Sequence, residues 1–201
     1  ETMQGYGVKK VVTNCPHVFN TLKHEYPDLG GDFEVVHGTQ LVADLVRKGA
    51  VKLTEPVEEV VAYHDPCYLG RHNGIYDEPR NVLGQLPGVE LVEMPDTRQN
   101  SLCCGGGGGF LQSGFKKQRL EFGRLKDVQI QNTKADYCIA GCHNCHAQIH
   151  ELSEHYGGGY GVIHLWTLIC LAMGILGENE REYLLPEHRE LALYGGSQLI
   201  E

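Results

Sequence analysis

The chain repeats itself at an offset of 127 residues, and this constrains its possible folds more than any other feature. Sliding the sequence by that amount without a gap places Cys15 on Cys142, Gly30-Gly31 on Gly157-Gly158, Val35 on Val162, His37 on His164 and Leu41 on Leu168. Val36 on Ile163 and Val42 on Ile169 keep their apolar character, so both segments are expected to build the same strand-helix-strand-helix unit. A chance alignment of glycine-rich loops is the competing reading.

Local periodicity agrees with the repeat. Val8–Val12 reads as a strand, Pro16–Tyr26 as a helix, Phe33–His37 as a strand and Thr39–Lys48 as an amphipathic helix stopped by Gly49. Strand Val57–His64, a helix near Glu78–Leu86 closed by Pro87-Gly88, strand Val89–Met94 and a helix from about Phe110 to Thr133 follow. Strand Ala135–Ala140, helix Asn144–His155, strand Gly161–His164 and helix Trp166–Gly174 complete the series. Such alternation predicts an α/β protein of two pseudo-symmetric Rossmann-like lobes with mainly parallel sheets. The copies differ in what precedes them: Val57–Phe110 leads into the second, but only about seven residues lead into the first. The expected division is therefore residues 1–54 as the second half of a first lobe and 55–201 as a complete lobe. The chain is then either a fragment or lacks upstream residues.

With 201 residues, 41% of them hydrophobic, the chain can bury a substantial core. Its longest nearly apolar stretch, Val162–Leu176, is only fifteen residues and contains His164, short of the roughly 20 needed to span a bilayer. No signal-peptide pattern stands at the start, so a cytoplasmic location is expected. The net charge of −9 disfavours nucleic acid or an anionic lipid surface as the main partner. The basic run from Lys116-Lys117 to Lys126 is expected to be a solvated helix face.

Eight cysteines are too sparse for a disulfide scaffold, and clustered cysteines in such a chain point to metal or redox chemistry. Cys67 is followed after thirty-five residues by Cys103-Cys104-Gly105, and after thirty-seven more by Cys142-His143-Asn144-Cys145. A CxxC opening a helix lets two sulfurs converge where the helix N-terminus favours negative charge. A vicinal pair suits two neighbouring metal atoms better than one tetrahedral ion, and five thiolates exceed the four of a zinc site. Gly105 to Gly109 follow the pair directly. They allow positive backbone angles and a concave nest of amides against an anionic group, although a flexible linker or a phosphate loop would also use glycine. No Gly-Lys-Ser/Thr follows to support the phosphate reading.

Tyr63-His64-Asp65-Pro66-Cys67-Tyr68-Leu69-Gly70-Arg71, Cys103-Cys104-Gly105-Gly106-Gly107 and Cys142-His143-Asn144-Cys145 together resemble a cysteine-rich CCG domain of the heterodisulfide reductase catalytic subunits. The resemblance covers nearly the whole chain, the first copy being similar to the second half of an upstream CCG domain. It implies an iron-sulfur oxidoreductase in which Cys67, Cys103, Cys104, Cys142 and Cys145 hold a noncubane 4Fe-4S cluster acting on disulfide sulfur, with Gly105 and Gly106 beside it. Thr13-Asn14-Cys15-Pro16-His17 and His164-Leu165-Trp166-Thr167-Leu168 most resemble the DsrK-type and TmcB-type subunits of membrane redox complexes in sulfate reducers. That implies a disulfide or trisulfide on a DsrC-type sulfur carrier protein as substrate. It further implies membrane-embedded and cytochrome or ferredoxin-like subunits as partners, and a peripheral place on the inner face of the cell membrane. A heterodisulfide of small thiol cofactors, electron relay from a dehydrogenase toward quinone, and a zinc-binding anchoring module are the alternatives. The resemblance also implies further 4Fe-4S clusters in an upstream segment, since no Cx2Cx2C run occurs here.

The repeat puts Val18 where Cys145 stands, so the first copy is expected to hold no second cluster. Cys15 reads either as an extra ligand or substrate-side thiol, or as a buried remnant; Cys138 as a thiol outside the ligand set, though a set using it is imaginable; Cys170 as core. His64, with His143 and His146, is a candidate for proton delivery to a departing thiolate, against ordinary hydrogen-bonding or surface roles. Arg71 reads as a steering group for an anionic substrate or, more simply, as a surface ion pair.

Overall fold

The computed structural model describes residues 1–176. A short α1 (Thr2–Gly5) precedes β1 (Lys10–Thr13), α2 (Pro16–His24), β2 (Glu34–His37) and α3 (Gly38–Arg47). There follow β3 (Val60–His64), α4 (Asp77–Leu83), β4 (Glu90–Val92), α5 (Lys116–Thr133), β5 (Tyr137–Ala140), α6 (His143–Tyr156), β6 (Gly161–His164) and α7 (Leu165–Ala172). All strand pairing is parallel, in a two-stranded sheet β1-β2 and a four-stranded sheet ordered β4-β3-β5-β6. The predicted α/β class with parallel sheets is therefore what the chain forms; residues 177–201, at the end of the predicted second lobe, lie outside the described residues.

The repeat is structural. Lys10 pairs with Glu34 and Thr13 with His37, and the same offset of 127 carries these pairs onto Tyr137 with Gly161 and Ala140 with His164. Chance alignment cannot reproduce a strand register. The helix starts match as well: Cys15 and Cys142 both stand extended at the N-caps of α2 and α6. His37 and His164 both cap the next helix, Nδ1 of each accepting from the backbone N–H two residues on, at 3.3 Å from Thr39 and 3.4 Å from Trp166. An imidazole caps this way only while Nδ1 is unprotonated. Burial keeps it so, pushing both residues down to about 4.

Several boundaries differ from the predicted ones for local reasons. Helix α2 stops at His24 because Pro27 opens a 3-10 turn that ends on left-handed Gly30. The helix expected from Phe110 is broken at Ser113, whose Oγ donates to the Phe110 carbonyl and accepts from the Phe115 N–H, and α5 begins only at Lys116.

The basic run of α5 is a solvated face only in part: Lys116, Lys117 and Arg124 are exposed, but two of its cations are not. Arg119 and Lys126 are 2% and 0% exposed beside buried Leu120 and Ile130, while Phe122 and Leu125 are 69% and 67% exposed, so polarity and burial part company on this helix. Its inner surface is fitted to the neighbouring loop: a Cβ at Gly123 would meet the Cys104 carbonyl oxygen at 2.6 Å.

The two sheets share their packing. The core around Val61, Tyr63, Ile139 and Ile163 includes Val42 and Ala43 of α3, and Trp166 of the second repeat presses on Gly38, leaving no room there for a side chain. Among the described residues no helix is long and apolar enough to cross a membrane.

Candidate metal centre

The five cysteines singled out from the sequence come from the carboxyl ends of three adjacent strands. Cys67 follows β3, the Cys103-Cys104 loop follows β4, and Cys142 and Cys145 open the helix after β5. The chain leaves β3 for β4 on one side and then crosses to β5 on the other. The gap between β3 and β5 is thus a topological switch point, where open α/β sheets bind their ligands.

Cys104 Sγ lies 3.4 Å from Cys145 Sγ, and a ring nitrogen of His64 is within 4.8 Å of both sulfurs, all three residues being buried. Cys142 is buried too, Cys67 is half-buried and Cys103 is exposed. A cleft of about 280 Å³, counted with its open mouth, runs down to Cys104 and Cys145 past Cys67, Cys103, Arg71 and Arg98.

The glycine run divides into two parts. The Gly105 N–H donates to Cys103 Sγ at 3.3 Å and the Gly106 N–H to Cys104 Sγ at 3.5 Å, so these two form the amide nest. Gly105 has a φ of +89°, and a Cβ at Gly106 would meet Gln148 Cβ at 2.7 Å and the Asn144 carbonyl at 3.2 Å. Gly107 to Gly109 face open space and form a surface turn. Gly106→Ala is expected to cost about 1–3 kcal/mol through overpacking. Gly107→Ala, with nothing within 4 Å and no positive φ, serves as the near-neutral control in thermal melts.

The thiols titrate as a set. Hydrogen bonds from Cys103 and Cys145, with a further one from His64, hold Cys104 well below the usual thiol range against its burial. Cys103 and Cys145 are correspondingly pushed up. The Cys145 thiol, helped by the backbone N–H groups of Cys145 and Asn144 at the start of α6, brings Cys142 down to about 7 despite burial. Burial, then the neighbouring Cys104, raises Cys67. Two buried polar atoms beside the sulfurs, His64 Nδ1 and Tyr63 Oη, have no hydrogen-bond partner within the protein. Buried polar groups ordinarily find one, and sulfide or thiolate would serve both. The donor set, five thiols with two amides and two orphaned polar groups, fits an iron-sulfur group.

The other sequence candidates sort cleanly. Cys138 is fully buried in β5, where burial pushes it up to about 12, and packs in the same cluster as Cys104 and Cys145 without joining their hydrogen bonds. Cys170 was expected in the core but is only half-buried, on the flank of α7. Cys15 sits at the α2 N-cap; from the same helix His17 reaches the thiols, its Nδ1 3.8 Å from Cys142 Sγ and its ring tilted against Tyr68 at 4.3 Å. His143 is exposed and His146 turns toward His164, with ring centroids 6.0 Å apart, so of the three candidate histidines His64 is the one at the sulfurs. Among the described residues Arg71 makes no ion pair: it donates to the carbonyls of Gln99 and Ser101 at 3.2 and 2.8 Å, tying down the loop before Cys103.

Sequence reasoning assigned no role to the ion-pair frame of this site. Asp65, two residues before Cys67, accepts two hydrogen bonds from Arg80 at 2.7 and 2.8 Å and one from the Arg98 N–H at 2.8 Å. Arg80 also reaches Glu93 at 2.6 and 3.0 Å. One carboxylate thereby fixes the loop carrying Cys67 and the loop leading to Cys103. Asp65 lay within the His64-Asp65-Pro66-Cys67 motif, a usable signal; Arg80 gave none.

Residues 61–150, which contain all five thiols, match the family model described as a cysteine-rich domain, CCG. The chain carries a cysteine-rich CCG domain. Its homologues include the EtfAB:quinone oxidoreductase of Syntrophomonas wolfei, 38% identical over 151 residues, covering 72% of this chain and 21% of that protein. The probable iron-sulfur-binding oxidoreductase FadF of Bacillus subtilis is 49% identical over 104 residues, 52% of this chain and 15% of FadF. A component of the dihydromethanophenazine:CoB–CoM heterodisulfide reductase of Methanosarcina barkeri is 34% identical over 178 residues, 87% of this chain and 43% of that component. The chain thus spans less than half the length of each of these curated relatives of the CCG domain.

Proposed function

We propose that this CCG domain is the cluster-bearing part of an iron-sulfur oxidoreductase, with Cys67, Cys103, Cys104, Cys142 and Cys145 as the ligands of a noncubane 4Fe-4S cluster at which disulfide sulfur is reduced or formed. The observation that carries the proposal is the meeting of thiols from three strand ends at one switch point, with exposed Cys103 at the mouth and buried Cys104 and Cys145 at the floor. When bound by these residues, such a cluster would supply one-electron redox chemistry, and the net change would be RSSR′ plus two electrons and two protons giving RSH and R′SH.

The chain's own residues have defined parts in this chemistry. The Gly105 and Gly106 amides hold the vicinal sulfurs and favour their anionic form. Arg71 and Arg98 line the cleft and draw in a substrate carrying negative charge. His64, buried beside Cys104 and Cys145, is placed to give a proton to a departing thiolate. His17 brings the first half-lobe against Cys142 and closes that flank of the sulfur set, while the cleft by which substrate enters is lined by residues of the second unit. Residues 1–54 act as the second half of a first lobe without a cluster, and residues from 55 onward as the lobe that holds one.

The substrate proposed is a disulfide or trisulfide on a DsrC-type carrier protein, with a heterodisulfide of two small thiols as its chemical sibling. Electrons come from clusters elsewhere in the protein or from partner subunits of a complex on the inner membrane face. A second reading, electron relay toward quinone without sulfur chemistry, draws support from the quinone oxidoreductase named among the relatives. Anaerobically reconstituted protein is expected to hold about four irons and matching acid-labile sulfide. Its EPR spectrum is expected to change when the carrier protein's thiols are added to the oxidised form. An unchanged spectrum with full iron favours relay, and zinc without sulfide overturns the cluster.

A further inference from the structure

Lys126 is 0% exposed, and among the described residues no carboxylate lies within ion-pair distance of its Nζ. Its contacts are neutral: Gln129 Oε1 at 3.3 Å, Ser101 Oγ at 3.5 Å and Met94 Sδ at 3.6 Å. The acidic groups facing it are engaged elsewhere. Asp65 is taken up by Arg80 and the Arg98 N–H, and Asp96 accepts at 2.5 Å from the Gln129 amide that separates it from the lysine. A buried ammonium without a counter-charge is costly, and a fold that keeps one supplies negative charge from another source.

The surroundings indicate that source. Met94, which touches Lys126, packs in one buried cluster with Cys104, Cys138, Cys142 and Cys145. Ser101, which also touches it, lies two residues before Cys103, and its carbonyl is tied to Arg71 on the cleft side. The ammonium therefore stands on the protein side of the sulfur set, whereas Cys103 marks the solvent side. Burial, the largest influence, disfavours its charged form; Cys138, Asp65, Cys104 and Asp96 act on it from a distance in the opposite sense without offsetting that burial.

We infer that Lys126 is the internal counter-charge of the cluster, a positioning residue that favours the reduced, more negative state. This rests on the proposed cluster at the five cysteines. It makes the stability of the lysine conditional on loading: a burden on the metal-free protein, a support to the loaded one.

The test uses the whole chain with Lys126→Met and Lys126→Arg, reconstituted anaerobically beside the parent. Lys126→Met is expected to take up iron and sulfide but to be harder to reduce by at least tenfold in equilibrium constant, which is about 59 mV for a one-electron couple. EPR-monitored redox titration measures it. Lys126→Arg, keeping the charge, is expected to stay near the parent. In thermal melts Lys126→Met should raise the transition of the metal-free form and lower that of the loaded form. An unchanged potential, or a lowered transition in both forms, including failure of the metal-free variant to fold, overturns the inference and leaves the cluster intact as a reading. Iron uptake by Lys126→Arg but not by Lys126→Met supports it. Parent protein that binds no iron and sulfide overturns the cluster reading itself, and this inference with it.

Discussion

Replacing Cys104 by serine is expected to abolish iron and sulfide retention after anaerobic reconstitution, the largest single effect at this site. Cys104 is the sulfur on which the others converge: Cys145 approaches it at 3.4 Å, the Gly106 amide donates to it, and His64 lies within 4.8 Å. Hydrogen bonds from Cys103 and Cys145 also hold its thiol below the usual range, and the thiolate is what binds metal. A serine hydroxyl at that place stays protonated and is a hard, weak ligand for iron. Cys145→Ser should behave alike. Cys138→Ser and Cys170→Ser should keep iron, Cys138 because its side chain faces the packed core. Full iron content in Cys104→Ser, measured together with labile sulfide, would refute the ligand set.

Arg80→Met is expected to destabilise the fold by about 3–5 kcal/mol, because it leaves the Asp65 carboxylate buried and without its cationic partner. Asp65 has 3% of its side chain exposed and Arg80 8%, so solvent cannot take over the lost pairing. Urea unfolding at neutral pH measures the effect. The pair also gives an acid dependence of definite sign. Burial alone would raise Asp65, but Arg80 and the Arg98 N–H outweigh it and hold the carboxyl below the ordinary carboxylate range. The unfolded chain therefore binds a proton at a higher pH than the folded chain does. The contribution of Asp65 is complete above the unfolded carboxylate pKa, and falls away as pH drops through the lowered folded value. Arg80→Met should flatten that part of the stability profile. Equal acid slopes in parent and variant would show that Asp65 draws its stability from elsewhere.

The strands, the parallel class and the five thiols were legible because each leaves a mark in sequence. β-branched runs set the strands, Gly and Pro set their ends, and the cysteines sit in the segments that leave β3, β4 and β5. The repeat was legible for a stronger reason, since an offset preserved over Cys15, His37 and their partners extends to the strand register itself. Helix α5 was not legible on its surface. Its charges were read as solvated, yet Arg119 is spent on Gln148 and Glu151, and Lys126 lies inside. Binary patterning assumes that burial follows polarity, and that fails where the buried neighbours are themselves polar. Arg80 and His17 were missed for a different reason. Each acts on residues far along the chain, His17 across 125 positions to Cys142, and no local pattern encodes such a meeting.

The twin imidazole caps divide the labour of the repeated unit. In each copy of the repeated unit, starting the second helix is the task of a histidine, His37 or His164, and presenting sulfur is the task of other residues. Helix starting in this unit therefore does not depend on the residues that present sulfur. The first copy has Val18 in the place of Cys145 and still forms its strand pair, its caps and its helices. The frame of the unit thus stands without the CxxC, and in the first copy it serves as a wall that carries His17 to Cys142 of the second.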